Sequence, residues 1–168
     1  AEIDFAFMID PDPQKGLKII PLFYEQLHLM GPIDDREFPK YPISLTDLKN
    51  FPLAIYPKLT GPRKAIDKAI LQGRTTLNIR YETNYHATIE DFVSRGLAYA
   101  LVAKSAITND PNKFSFASVK NLKLLRTIVY MQARLRTAAV AKLVDIAKSE
   151  VANIVPGRIF EGCTLLDV

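Results

Sequence analysis

The residues best suited to chemistry in this sequence form two short polar stretches that could bind an anion. The first contains Thr60, Gly61 and Arg63, between the apolar run 53–57 and a segment with helical spacing. The first turn of a helix leaves backbone N–H groups unpaired and carries the positive end of the helix dipole. Hydroxyl and guanidinium groups beside such a turn indicate a site for a carboxylate or similar small anion. A plain helix cap, with Thr60 before a proline, fits the same pattern.

The second stretch consists of Thr83, Asn84 and Tyr85, which follow the next alternating segment of the chain. The hydroxyl and backbone N–H groups here would donate to a ligand's oxygens, and Tyr85 would provide an apolar wall. Loops 58–63 and 82–86 end consecutive predicted strands. In a parallel sheet, ligands bind outside the carboxyl ends of the strands, so the two loops could face one crevice.

Other catalytic or metal-binding patterns are missing from the sequence. His28 and His86 have no cysteine or carboxylate at metal-ligand spacing, so neither a metal site nor another cofactor is predicted. His28 lies in an apolar segment and is interpreted as a hydrogen-bonded structural residue, whereas His86 opens a helix. Glu90 and Asp91 are adjacent on a predicted helix and would point apart, which favours a solvated surface over an acid/base pair. Phosphate-loop and nucleophile motifs are also missing, so no enzyme activity is predicted.

The composition is that of an ordinary globular protein with one or two small domains. The chain has 168 residues, of which 48% are hydrophobic and 24% charged. No apolar run approaches the ~20 residues that cross a bilayer, and Cys163, the single cysteine, indicates a reducing, cytoplasmic setting. The net charge of +4 is weak evidence for nucleic-acid binding, because the basic residues are scattered. Lys120, Lys123 and Arg126 are interpreted as solvated positions around a strand.

Hydrophobic periodicity predicts an α/β fold. The predicted extended segments are 3–9, 23–30, 53–57, 76–82, 97–103, 114–119 and 124–131. The predicted helices are a short one capped by Ser44, one opening at 62–63, one in 83–96 that ends at Gly96, and one at about 137–152. Strands alternating with helices are typical of a parallel sheet with right-handed crossovers. Because the chain begins within a strand, we expect it to be a fragment of a longer protein.

The order and spacing of five motifs resemble one known family. These motifs are the strand "IDFA" at 3–6, Glu25 ahead of a hinge strand, "LTDL" at 45–48, the Gly-x-Arg helix start at 61–63, and "VSRGLAYALV" at 93–102. Together they resemble the effector-binding domain of LysR-type transcriptional regulators, over residues 1 to about 150.

This resemblance implies a type 2 periplasmic-binding-protein-like fold, in which two α/β lobes are joined by two crossover strands. The crossover strands would be 24–31 and 125–132. Residues 32–124 would form the complete second lobe. Residues 1–23 and 133–168 would form part of the first lobe, which would be incomplete in this chain.

The resemblance also implies a ligand-sensing role, in which a small, anionic effector binds in the cleft between the lobes. The implied effector-binding residues are Thr60, Gly61, Arg63, Thr83, Asn84 and Tyr85. The full-length protein would bind DNA through a helix-turn-helix domain absent from this chain, and it would be a cytoplasmic homo-oligomer that does not contact the membrane. Two alternatives stay open from the residues: a solute-binding protein of the same fold that serves transport, and a small α/β enzyme.

Overall fold

The computed structural model describes three stretches of the chain, namely residues 4–131, 138–156 and 162–166. The strands within these stretches are β1 (Phe5–Ile9), β2 (Leu17–Pro32), β3 (Pro52–Ile55), β4 (Asn78–Glu82), β5 (Tyr99–Ala103), β6 (Phe114–Met131) and β7 (Thr164–Leu165). The α-helices are α1 (Gly61–Gln72), α2 (His86–Ser94) and α3 (Ala138–Ile154). Short 3-10 helices occupy Leu45–Asn50, Lys104–Ala106 and Pro111–Lys113.

Two long strands, β2 and β6, run through both of the units into which the chain divides. Unit 1 contains Ala1–Glu25 and Leu124–Val168, and unit 2 contains Gln26–Lys123. The positions of the lobes and crossover strands inferred from the sequence stay a prediction.

Unit 2 is built around parallel strands, as the alternation of strands and helices predicted. Its strands are ordered β2-β5-β3-β4, and β3 pairs in parallel with both β4 and β5. β3 is an apolar run buried over 53–55, which is typical of a parallel strand covered on both faces. From α2, Ile89 and Val93 are four residues apart on one helix face and are buried in the same cluster as Ala54.

Unit 1 combines antiparallel strands with α3. β1 pairs with the second half of β6, and β7 pairs with β2. One face of α3 contributes Val144 to a buried cluster with Leu22 and Ile128. Helical periodicity in the last third of the chain predicted this helix at 137–152. It is observed at Ala138–Ile154, and residue 137 lies outside the described residues.

Two of the observed strands are longer than predicted. The strand predicted at 23–30 extends over the whole of β2. The two extended pieces predicted at 114–119 and 124–131 are one strand, β6, although Asn121 inside it has a left-handed φ of 59°. A single left-handed residue changes the local twist without ending the strand, so a polar pair such as "KN" is a weak stop signal.

Two charged residues predicted to be solvated are partly or fully inside the protein. Glu90 is 1% exposed, and its burial is tolerated because its carboxylate accepts hydrogen bonds from Thr108 and Asn109. Arg126 is half-buried and is bonded to the buried carboxylate of Glu25. Both interpretations as surface residues were therefore wrong, because each charge has a partner that is distant in the sequence.

Candidate functional site

Two loops meet at the carboxyl edge of the parallel strands in unit 2. Loop A (residues 56–60) joins β3 to α1, and loop B (residues 83–85) joins β4 to α2. β3 and β4 are neighbours with Ile55 opposite Glu82, and the N–H of Thr83 donates to the carbonyl of Ile55 at 3.1 Å. The two predicted anion-binding stretches therefore begin at adjacent points on one edge of the sheet.

Loop A places Thr60 at the N-cap of α1. Its backbone is extended, and its hydroxyl donates to the carbonyl of Pro57 at 2.9 Å instead of capping the helix. Pro62 has no N–H, so the first-turn amide donors of α1 are those of Gly61 and Arg63. The preceding Leu59 is 85% exposed with a φ of 76°, which is an uncommon backbone conformation for a bulky residue.

Loop B places Tyr85 at the N-cap of α2. The amide of Tyr85 donates to the hydroxyl oxygen of Thr83 at 3.2 Å, a side-chain turn that leaves the Thr83 hydroxyl able to donate in its turn. Asn84 is exposed, and the Tyr85 side chain is 74% exposed. Different bonds thus hold the two loops. In loop A the Thr60 hydroxyl donates to the carbonyl of Pro57, and in loop B the Thr83 hydroxyl oxygen accepts from the amide of Tyr85.

The guanidinium of Arg63 faces into the protein and does not present a free charge to a ligand. Arg63 is 3% exposed; its Nη1 donates to the carbonyl of Tyr56 at 2.9 Å and to Oε1 of Glu82 at 2.6 Å. Its Nε donates to Oδ1 of Asp67 at 2.8 Å. Burial opposes its charged form, but the bonds to Glu82 and Asp67 outweigh burial, so the pKa of Arg63 is raised. The charge of Arg63 is thus paired with two carboxylates, and its direct contact with an effector stays a prediction.

A second contact between the loop regions joins Tyr56 of loop A to His86, the first residue of α2. The Tyr56 hydroxyl lies 2.5 Å from Nδ1 of His86, and the two rings stack with centroids 5.6 Å apart. Burial lowers the pKa of His86, and Glu90 offsets this only in part. Sequence reasoning missed Tyr56, although a tyrosine at the end of an apolar run carries a hydroxyl that needs a partner when it is buried.

The lowered pKa of His86 gives a measurable titration. We expect its imidazole to titrate below the ordinary value of 6.5 in an NMR pH series, because burial penalises the charged ring. Tyr56→Phe removes the hydroxyl partner and should lower the free energy of unfolding by about 1 kcal/mol. Tyr85→Phe, at the same edge but exposed, is the matched control. A His86 midpoint at or above 6.5 would contradict the burial of this pair.

The described residues provide neither a metal site nor a membrane span. No group of three or more His, Cys, Asp or Glu side chains in 4–131, 138–156 and 162–166 is arranged to hold a metal ion. Among the same stretches, no helix has the length and apolar character needed to cross a bilayer.

Comparison with known families and structures agrees with this architecture. The family model described as the LysR substrate binding domain matches residues 1–152. The chain belongs to this family. It therefore has the mixed α/β fold of the ligand-sensing domain of LysR-type regulators, and the resemblance seen in the sequence is confirmed. A search of the curated proteins found no match.

Solved structures with the same fold are distant in sequence. The CcmR regulatory domain of Synechocystis PCC6803, in complex with 2-PG, is 14% identical with a TM-score of 0.78; the match covers 91% of this chain and 76% of that one. The effector-binding domain of QuiR, in complex with shikimate, is 14% identical with a TM-score of 0.77 (90% and 73% covered). CbnR, a LysR family transcriptional regulator, is 17% identical with a TM-score of 0.72. The match covers 89% of this chain and 53% of CbnR, so this LysR domain spans about half of that regulator.

Proposed function

We propose that this LysR domain senses a small, anionic effector at the edge formed by loops A and B. The observation that carries the proposal is the adjacent placement of the N-termini of α1 and α2 at the ends of two paired parallel strands. Helix N-termini offer unpaired N–H groups and a positive dipole end to an anion. Small ligands are present in two neighbours of the same fold, CcmR with 2-PG and QuiR with shikimate.

The proposed contacts come from neutral groups. Donors are available from the amide of Gly61, the hydroxyl of Thr83 and the side chain of Asn84, and the exposed ring of Tyr85 offers an apolar wall. The Thr60 hydroxyl donates to Pro57, so Thr60 would contribute by shaping loop A and through a lone pair of its oxygen only to a protonated group. Because the charge of Arg63 is paired with carboxylates, the anion would be held by oriented dipoles and hydrogen bonds. Binding of this kind depends less on salt than binding by an exposed cation.

The proposed role of the domain is regulatory. In the full-length protein, a helix-turn-helix domain outside these residues would bind DNA, and the regulator would act in the cytoplasm as a homo-oligomer without chemically changing its effector. Full-length CbnR, a regulator of the same fold, has been solved with its target DNA. An effector changes such a protein only through its different affinity for two conformations, and a coupling of about 1–3 kcal/mol would suffice. The family favours this role over transport or catalysis.

Thermal unfolding with a panel of small carboxylates, including shikimate and also 2-PG, tests the proposed site. A ligand at ~100 times its dissociation constant should stabilise the domain by about 2.7 kcal/mol. Thr83→Ala should weaken binding by about tenfold, because it removes one hydrogen bond to an anion. Thr60→Ala should weaken binding as well, because it removes the bond to Pro57 that fixes the shape of loop A. Thr76→Ala, two residues before β4, is the control and should leave the shift unchanged. Full stabilisation of both loop variants would refute the site.

A further inference from the structure

Arg63 connects the two loops of the proposed site through one buried group. A single nitrogen, Nη1, donates both to the carbonyl of Tyr56, the first residue of loop A, and to the carboxylate of Glu82, the residue before loop B. A third bond, from Nε to Asp67, stays within α1 because the two residues are four apart on that helix. The guanidinium therefore spans the bases of both loops, while the Asp67 bond only attaches it to its own helix.

The chemistry of the group suits a rigid spacer. A guanidinium is planar, so the directions of its N–H donors are fixed relative to one another. The Arg63 side chain is 4% exposed, whereas the side chains of its partners Asp67 and Glu82 are 47% and 41% exposed, so the guanidinium is buried and the carboxylates reach the surface. A contrasting pair on α2, Arg95 with Asp91, has side chains 67% and 54% exposed, and such surface pairs contribute little. Unit 2 thus contains one bridge made by a buried guanidinium, that of Arg63, and one exposed arginine–aspartate pair, Arg95 with Asp91.

We propose that Arg63 is a positioning residue of the effector site, which sets the spacing of loops A and B without contacting the effector. This proposal rests on the proposed function, because the spacing of loops A and B affects effector binding only if a ligand contacts both loops. Effector affinity should then depend on Arg63 even though its charge is already paired. A lysine should not replace it, because one ammonium group on a flexible stem cannot reproduce three bonds with fixed directions.

Hydrogen exchange of single amides tests the positioning role without any ligand. The reporters are the Thr83 amide, bonded to Ile55 at 3.1 Å, and the Lys64 amide, bonded to Thr60 at 2.9 Å. Arg63→Lys should speed exchange at both by about tenfold. The Lys120 amide, bonded to Ile43 elsewhere in the same unit, should be unchanged.

Three further variants separate positioning from general stabilisation. Glu82→Gln weakens the bond that reaches β4 and should also speed exchange at both loops. Asp67→Asn weakens only the bond within α1, and Arg95→Lys alters only the exposed pair. Neither variant should therefore speed amide exchange at loops A and B. Equal effects of Asp67→Asn and Glu82→Gln would overturn the proposal, because Arg63 would then only stabilise its own helix. Glu82→Gln keeps the test available if Arg63→Lys fails to fold.

A binding measurement with shikimate and with 2-PG completes the test. If either binds, Glu82→Gln should weaken it by about tenfold and Asp67→Asn should not. Binding that is lost in Thr83→Ala but unchanged in Glu82→Gln would overturn the positioning role and leave the proposed function intact. A third outcome is that Glu82→Gln speeds exchange at both loops while no carboxylate of the panel binds. This outcome would support the bridge and count against the proposed function.

Discussion

Glu90→Ala should lower the free energy of unfolding by about 3 kcal/mol, because a buried carboxylate with several charge-assisted hydrogen bonds is lost. The Glu90 carboxylate accepts from the amide and hydroxyl of Thr108 at 2.7 and 2.9 Å. It also accepts from the amide of Asn109 at 3.0 Å and from the side-chain amide of that residue. Urea unfolding of the variant against wild type gives the difference directly.

Asp91→Ala is the matched control for this variant. Asp91 is the next residue on α2, but its side chain is 54% exposed and pairs with Arg95 on the surface. A pair of this kind contributes roughly 0–1 kcal/mol, so the control should be nearly neutral. Equal losses from Glu90→Ala and Asp91→Ala would mean that burial and hydrogen bonding at Glu90 contribute little.

The same carboxylate predicts a dependence of stability on pH. Burial raises the pKa of Glu90, but the hydrogen bonds from Thr108 and Asn109 outweigh it, so the folded-state pKa is below the ordinary 4.5. A lowered pKa means that the contribution is complete above about pH 4.5 and is lost as the pH falls through the folded-state value. The stability difference between wild type and Glu90→Gln should therefore shrink in acid. A difference that is constant down to the acid transition would contradict this.

Glu90 also matters for the site. It lies one turn after His86 on α2 and fixes that helix to the segment that follows β5. Because the N-terminus of α2 forms one side of the proposed effector site, a loosened helix would change the direction of its amide donors. A reduced response to effector in Glu90→Ala would then accompany its lower stability.

The sequence was informative where physical constraints are local. Alternating apolar residues predicted the strands, and helical periodicity predicted α3. The capping box at Ser44 and Asp47 is observed at the start of the 3-10 helix, because both partners lie within four residues. The two loops could be placed on one sheet edge from strand order alone.

Long-range pairing of charges could not be predicted in the same way. Arg63 is bonded to Glu82, 19 residues away, and Arg126 to Glu25, 101 residues away. Nothing near these residues in the sequence distinguishes a buried charge from a solvated one, because the partner arrives only when the chain folds. The pairing at Arg63 bears on function, because its charge is bonded to Glu82 and Asp67, while its role in effector binding stays a prediction.

The pair of Glu25 and Arg126 gives the largest expected loss of stability. Glu25 is 2% exposed in unit 1, and its Oε2 accepts from Nε and Nη2 of Arg126 at 2.6 and 2.5 Å. Arg126→Met should lower the free energy of unfolding by about 3–5 kcal/mol, because it removes the guanidinium and leaves a buried carboxylate without it. Denaturant unfolding at neutral pH measures this loss.

A double variant shows whether the loss comes from the broken ion pair. Replacing a buried ion pair by apolar groups of similar volume is often neutral, so Glu25→Leu with Arg126→Met should recover most of the stability lost in Arg126→Met alone. Arg95→Met, at the exposed pair with Asp91, should be nearly neutral and controls for the loss of an arginine as such. If the double variant is less stable than Arg126→Met, Glu25 contributes through contacts other than this pair, and the loss in Arg126→Met cannot be assigned to the broken ion pair.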